Sequence, residues 1–263
     1  MKTMRKILLA AILFYMPLHS MAWGVLGHRI VAEIANSYLS NKARKQIQRI
    51  LGNESMAMTS NWPDFIKSGT SYNYLSPWHY INLREGLTEA AIELHLQQDT
   101  TVNAYTKIGW LTEQLKVKEL PADKKLMYLR LLIHLVGDVH QPMHVGRFED
   151  LGGNRIRVQW FNSPTNLHVI WDEKLIDFQQ LSYTEYVKAI NHTTREQRKA
   201  WQAEPPSRWI IDSYNIAQKL YAGITTPDQK LSYRYNFDHV QILNDQLLKG
   251  GVHLAGLLNQ IFG

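Results

Sequence analysis

The chain has 263 residues, no cysteine and a formal charge of +6, with 45% of its residues hydrophobic and 20% charged. That balance excludes a disordered or collagen-like chain and leaves enough apolar side chains for a packed core. Without cysteine, an exported form must be held by its core, by metals or by both, and the modest positive excess argues only weakly for a polyanionic partner, because Lys and Arg usually form a solvated helix face.

The first 22 residues read as an export signal. Lys2, Arg5 and Lys6 open the chain, residues 7–18 form an apolar run of twelve, and Ser20-Met21-Ala22 offers small residues for cleavage. The expectation is cleavage between Ala22 and Trp23 and a secreted or periplasmic product. Twelve apolar residues fall short of the roughly 17–25 that span a bilayer as a helix, and no later run of that length is free of charge, so no membrane anchor is expected. Three of the positive charges leave with the signal, which lowers the charge of the rest to +3. Residues 23–263 contain no Pro/Gly/Ser-rich linker, which predicts one domain.

Apolar residues then recur at three-to-four spacing over 27–39, 42–51, 88–98, 104–115, 122–139, 183–190, 194–202, 207–221 and 231–259. The fold class predicted is all-α. Ser40-Asn41 and Asp123 suit helix caps, and Pro63, Pro77, Pro121, Pro142 and Pro164 are expected between helical segments. Residues 155–161 alternate apolar and basic residues before Asn162-Ser163-Pro164-Thr165, which predicts a short strand or hairpin as the sole β element. The basic residues Arg44, Lys45 and Arg49 read as a wet helix face.

Ten of the eleven histidines lie beyond the signal, and several sit beside an aspartate. His134 and Asp138 are four apart in a strongly helical stretch, so both side chains leave one face and can approach the same metal; His168 and Asp172 repeat the spacing. In His140-Gln141-Pro142-Met143-His144 the proline should end the helix and let His144 turn back toward His134. His140 would lie about 240° around the helix from His134, outside any metal shell. A single histidine of this kind is usually a surface or satisfied core residue, but two His/Asp pairs bracketing another histidine form a donor set suited to zinc.

These residues are familiar as a set. Trp23-Gly-Val-Leu-Gly-His28, Asn61-Trp-Pro-Asp64, Trp78-His79-Tyr-Ile, His134-Leu-Val-Gly-Asp138-Val-His-Gln-Pro-Met-His144 and Asn166-Leu-His168-Val-Ile-Trp-Asp172 resemble the S1/P1 family of single-strand-specific zinc nucleases. The resemblance runs in order from Trp23 to about Asp172; beyond that it rests on helical character. It implies a phospholipase C/P1 nuclease-like helical fold, with residues 23–263 as a single catalytic domain. It also implies three zinc ions: Asp64, His79, His134 and Asp138 would hold the first, His144, His168 and Asp172 the second, and the α-amino nitrogen and carbonyl of Trp23, with His28 and Asp138, the third.

The same resemblance implies endonucleolytic hydrolysis of single-stranded RNA and DNA to 5′-phosphoryl products, with 3′-nucleotidase activity left open and no stable protein partner. Asp64 would orient the nucleophile and Asp138 would bridge two ions. Lys67 matches a basic position that neutralises transition-state charge, the alternative being a loop lysine in water. Tyr80 matches an aromatic that stacks the scissile base, the alternative being ordinary core. Asn82 stands where fungal members carry an aspartate that reads the base, Glu173 stands where they often carry asparagine, and the disulfides of eukaryotic members are missing. Two other readings compete. A zinc phospholipase C would share the fold but place glutamate where Asp172 stands. A purely structural metal protein would close each site with four ligands, whereas His144, His168 and Asp172 leave a position open.

Overall fold

The computed structural model describes residues 23–263; the expected signal peptide, residues 1–22, lies outside them. Most of the described residues are helical, as the periodicity predicts. The longer helices are α1 Val25–Ser37, α2 Asn41–Leu51, α3 Glu89–Gln98, α4 Ala104–Lys116, α5 Ala122–Asp138, α6 Tyr183–Ile190, α7 Arg195–Gln202, α8 Pro206–Ala222 and α9 Tyr233–Phe262. Their starts follow from short hydroxyl residues. Ser40, Thr88 and Thr194 each accept a hydrogen bond from the backbone N–H three residues on, so Thr88 and Thr194 cap the helices whose interiors the periodicity had assigned to them. Asp123 is not a cap: Pro121 takes that position, and Asp123 lies in the first turn, where its charge suits the positive end of the helix dipole.

The last turns of α5 are buried on every side, from Leu131 through Asp138 without a break. A helix apolar all round belongs in the middle of a protein, and this one carries His134 and Asp138 inward with it. Alongside it, α1 packs against α9, α6 and Met56–Thr59. The close approach of α9 to α1 depends on Gly251, where a Cβ would lie 2.4 Å from Ile34 Cγ2. One contiguous buried cluster runs from Trp23 to Phe262; burying each of its leucine or isoleucine side chains contributes about 1.5–3 kcal/mol.

Two expectations need correction. The hairpin is real, β1 Arg157–Trp160 pairing antiparallel with β2 Ser163–Asn166, but it is joined by β3 Gln229–Leu231, parallel to β1, in the order β2-β1-β3. Leu231 is therefore a strand residue and the final helix starts at Tyr233; a parallel partner so distant in sequence leaves no local alternation to read. The prolines also differ from expectation. Pro164 lies within β2, tolerated because β2 is an edge strand. Pro63 sits in the first turn of Trp62–Phe65, and Pro77 lies inside a 3-10 helix, Thr70–His79, that 3.6-residue periodicity could not reveal.

Candidate metal centre

Six chain segments meet at the buried end of α5. His28 comes from α1, Asp64 from Trp62–Phe65, His79 from the end of Thr70–His79, His134 and Asp138 from α5, and His144 from the 3-10 turn Pro142–Val145. His168 and Asp172 come from the helical segment after β2, which widens into a π-helical turn at Ile170–Lys174, a distortion common at functional sites. All eight side chains are buried.

Asp138 is the hub. Its Oδ2 lies 3.0 Å from His79 Nδ1 and 3.3 Å from His134 Nε2, while its Oδ1 lies 3.4 Å from His28 Nε2 and 3.7 Å from His144 Nδ1. His134 Nε2 also lies 3.7 Å from Asp64 Oδ1, and its ring stacks on that of His28 with centroids 3.8 Å apart. On the other side, Asp172 Oδ2 is 3.0 Å from His168 Nε2 and Asp172 Oδ1 is 3.7 Å from His144 Nε2. Three trios present ligand atoms within 4.8 Å of one another: His28, Asp64 and His134; His79, His134 and Asp138; His144, His168 and Asp172.

The backbone fixes which nitrogen each ring offers. His134 Nδ1 lies 2.7 Å from Ser60 O, His144 Nδ1 2.6 Å from His79 O, and His168 Nδ1 2.6 Å from Gly152 O. A carbonyl only accepts, so each Nδ1 carries the hydrogen and each ring turns its Nε2 to the cluster, the usual support for a metal-bound histidine. Both nitrogens of His28, Nε2 of His79 and His144, and Oδ2 of Asp64 are buried and make no hydrogen bond among the described residues. Such groups are costly unless something pairs them, and divalent cations fit this donor set.

The electrostatics agree with that fit. Burial holds His28 and His79 well below the ordinary histidine value, and burial takes His134 to about 4. Burial, then the charge of Asp64, raises the Asp138 carboxyl well above the usual carboxylate range. For Asp172, burial acts upward, but His168 and His144 outweigh it and hold the group at about 2. His28, His79 and His134, kept neutral by burial around a carboxylate short of positive charge, are what a cation would complete.

The remaining residues predicted from sequence fall as follows. Trp23 is buried, and Gly24 N–H donates to Asp172 O at 2.8 Å, which ties the first described residues to the segment holding His168 and Asp172. Lys67 places its ammonium 2.6 Å from Asp64 Oδ1 and lines a cleft of about 490 Å³ that opens onto His79, His144 and His168. Tyr80 and Asn82 line the same cleft. Tyr80 is 40% exposed, which rules out the core alternative for it. Asn82 Oδ1 is buried there and makes no hydrogen bond among the described residues.

His140 is turned away from the cluster, as the helical angle predicts. Its Nδ1 donates to Val136 O at 2.7 Å, its Nε2 meets His253 Nδ1 at 2.7 Å, and His253 Nε2 meets Glu204 Oε2 at 3.1 Å. Gln141, within the quoted motif but given no role from sequence, donates its amide to Asp172 Oδ1 and accepts from Met143 N–H. Its neighbours in sequence hold the clue, since a Gln-Pro step after a helix end leaves the amide side chain to satisfy the turn. Asn154, which also lines the cleft, carried no periodic or spacing signal, and Arg155 was read only as the start of the alternating segment 155–161, although the strand begins at Arg157.

Comparison with known proteins yields a consistent set. The family model described as S1/P1 Nuclease matches residues 23–263. Endonuclease 4 of Arabidopsis thaliana is 29% identical, the alignment covering 92% of this chain and 90% of the relative, and Endonuclease 2 of the same plant is 31% identical over 92% and 91%. Nuclease P1 of Penicillium citrinum is 27% identical over 92% of this chain and 98% of its own.

Proposed function

The chain belongs to the S1/P1 nuclease family and is a phosphodiester-hydrolysing nuclease; we propose that it is a secreted, three-zinc endonuclease that cleaves single-stranded RNA and DNA to 5′-phosphoryl products. The family is zinc-dependent in general, and the observation that carries the fuller reading is the convergence of eight buried His and Asp side chains, three of which, His79, His144 and His168, line an open cleft. Residues 23–263 act as one catalytic domain in this reading, and residues 1–22 are removed on export.

Asp64, His79, His134 and Asp138 would hold one zinc, and His144, His168 and Asp172 a second. His28, Asp138 and the freed amine and carbonyl of Trp23 would hold the third. Bound zinc supplies Lewis-acid activation of water and of the phosphoryl group. The chain's own residues do the rest. The Asp64 carboxylate, at the junction of cluster and cleft, orients the attacking water, and Lys67 neutralises charge that builds on the phosphoryl oxygens. Tyr80 offers an exposed ring to a base, which requires the base to be unpaired, and this favours single strands. Asn82 offers both a donor and an acceptor where it faces that base.

Metal analysis of processed protein, combined with end-group analysis of products from single-stranded and duplex substrates, tests the reading. Three zinc equivalents, 5′-phosphoryl ends and a strong preference for single strands are expected. Equal cleavage of duplex, or 3′-phosphoryl ends, would overturn it.

A further inference from the structure

On the 3-10 helix Thr70–His79, side chains three apart share a face, and Asn73, Ser76 and His79 turn theirs to the cleft. Tyr74 and Trp78 lie on the two other faces, Trp78 in line with Tyr72 and Leu75, which also border the cleft, and the two rings begin an aromatic ridge. Tyr74 meets Trp78 edge to face with centroids 6.1 Å apart, Trp78 meets Trp110 at 5.9 Å, and Trp110 meets Tyr128 at 5.0 Å. Trp78 is the buried anchor of the row, whereas Tyr74 is 52% and Trp110 38% exposed. Lys107, one turn before Trp110 on α4, holds its ammonium 4.7 Å from the centre of the Trp78 ring and 5.3 Å from that of Trp110. Lys124, one turn before Tyr128 on α5, is exposed.

The ridge is continuous with the cleft. Tyr74 precedes His79 by five positions on one helix, about 10 Å at roughly 2 Å per residue. The backbone of Ala104 donates to Tyr80 O at 3.1 Å, so the start of α4 is pinned to the residue that offers its ring inside the cleft. Exposed rings interleaved with ammonium groups match the chemistry of an unpaired strand, whose bases present flat π faces and whose phosphates are anions.

We propose that Tyr74, Trp110 and Lys107 form a track for the part of a single-stranded nucleic acid that leaves the cleft, with bases stacking on the two exposed rings and a phosphate meeting Lys107. The inference rests on the nuclease reading of the cleft and deepens it: the enzyme holds more of its substrate than the nucleotides at the scissile bond.

The test compares a dinucleotide with a long single strand on processed, zinc-loaded protein. Wild type should show a lower KM for the long strand. The double variant Tyr74→Ala/Trp110→Ala should lose about tenfold of that advantage, the order expected for a lost stacking contact, while its kcat/KM on the dinucleotide and its metal content stay unchanged. Trp110→Phe should restore part of the loss.

Binding of a phosphorodithioate-linked strand, which keeps the charge but resists hydrolysis, reads the track without any cleavage. Lys107→Ala should flatten the salt dependence of that binding by about 0.7 in the log–log slope, one phosphate contact on a single strand. Unchanged binding and an unchanged length dependence in the double variant would overturn the track and leave the ridge to some other partner. An equal loss on dinucleotide and long strand would also overturn it. A protein that binds the resistant strand through the ridge but cuts nothing would sink the nuclease reading and spare the track.

Discussion

The imidazole of His28 fills the space in which residue 137 would carry a side chain: a Cβ on Gly137 would lie 2.8 Å from His28 Nδ1. Gly137 immediately precedes Asp138, so the glycine lets α1 bring a histidine onto the last turn of α5. Gly137→Ala should therefore push His28 off its position. Overpacking of this kind costs about 1–3 kcal/mol, to be seen as a lower denaturation midpoint, and metal affinity should fall with it. Adding His28→Ala should relieve most of the stability loss; if the two effects simply add, the clash is not its cause.

Gln141 makes a different kind of prediction, because it touches a proposed ligand and not a metal. Its amide donates to Asp172 Oδ1 while its own oxygen accepts from Met143 N–H, so it locks the carboxylate to the turn that delivers His144. Gln141→Leu removes both bonds at similar volume. Loss of a partner to a ligand typically weakens metal affinity about 10–100-fold. Competition against a chromophoric chelator should show one class of site weakened and the others intact, and uniform weakening would count against the assignment.

Much of this arrangement was legible in the sequence, and the parts that were not share a physical reason. His134 with Asp138 and His168 with Asp172 announce themselves because four-residue spacing puts two donors on one helical face. His140 could be set aside by the same angle, and it does point to Val136 and His253. Gln141 and Gly137 were hidden because their roles arise from segments far off in sequence, the π-helical turn in one case and α1 in the other. The strand Gln229–Leu231 was hidden for a like reason, since its partner lies some seventy residues earlier. The ridge of Tyr74, Trp78 and Trp110 escaped notice because a 3-10 helix does not repeat at 3.6 residues.

The hydrogen bonds beyond His140 predict a stability effect without a metal effect. Val136 O requires the hydrogen on His140 Nδ1, so a neutral His140 accepts at Nε2 from His253, whose ring stacks on Trp209 with centroids 4.8 Å apart. His253→Phe keeps a ring against Trp209 but leaves His140 Nε2 buried and unpaired. The expected loss is about 1–3 kcal/mol by urea unfolding of the metal-loaded protein. Metal content should be unchanged; a loss of zinc in parallel would place His140 nearer the cluster than its contacts indicate.

Removing the metals should make the fold sensitive to pH from both directions. For His28, His79 and His134, held below 6.5 by burial, the unfolded chain takes up protons first as pH falls through 6.5, so it binds more protons than the folded state and stability declines. Asp138 has the opposite sign. Its raised carboxyl keeps a proton that the unfolded chain releases near 3.8, and the stability this contributes is lost as pH rises through the raised value. Chelated protein should thus show a narrow maximum in Tm against pH, and zinc-loaded protein a higher and broader one. Superimposable curves with and without chelator would mean that no cation completes the cluster.

Processing at Trp23 offers the sharpest test of the proposed third site. Trp23 is buried with its ring against Gly137, and Gly24 N–H is bonded to Asp172 O, so this part of the chain is anchored to the segments that carry Asp138 and Asp172. An amide nitrogen is a poor zinc ligand, whereas a free amine and the carbonyl of the same residue close a five-membered chelate. Processing between Ala22 and Trp23 would convert one into the other. Protein retaining residues 1–22 is therefore expected to bind two zinc equivalents and to be nearly inactive, while protein whose intact mass begins at Trp23 binds three. A variant carrying one added residue before Trp23 should behave like the unprocessed form, because the extra peptide bond returns the nitrogen to an amide. Three equivalents in all forms would show that His28 and Asp138 hold their ion without the terminus.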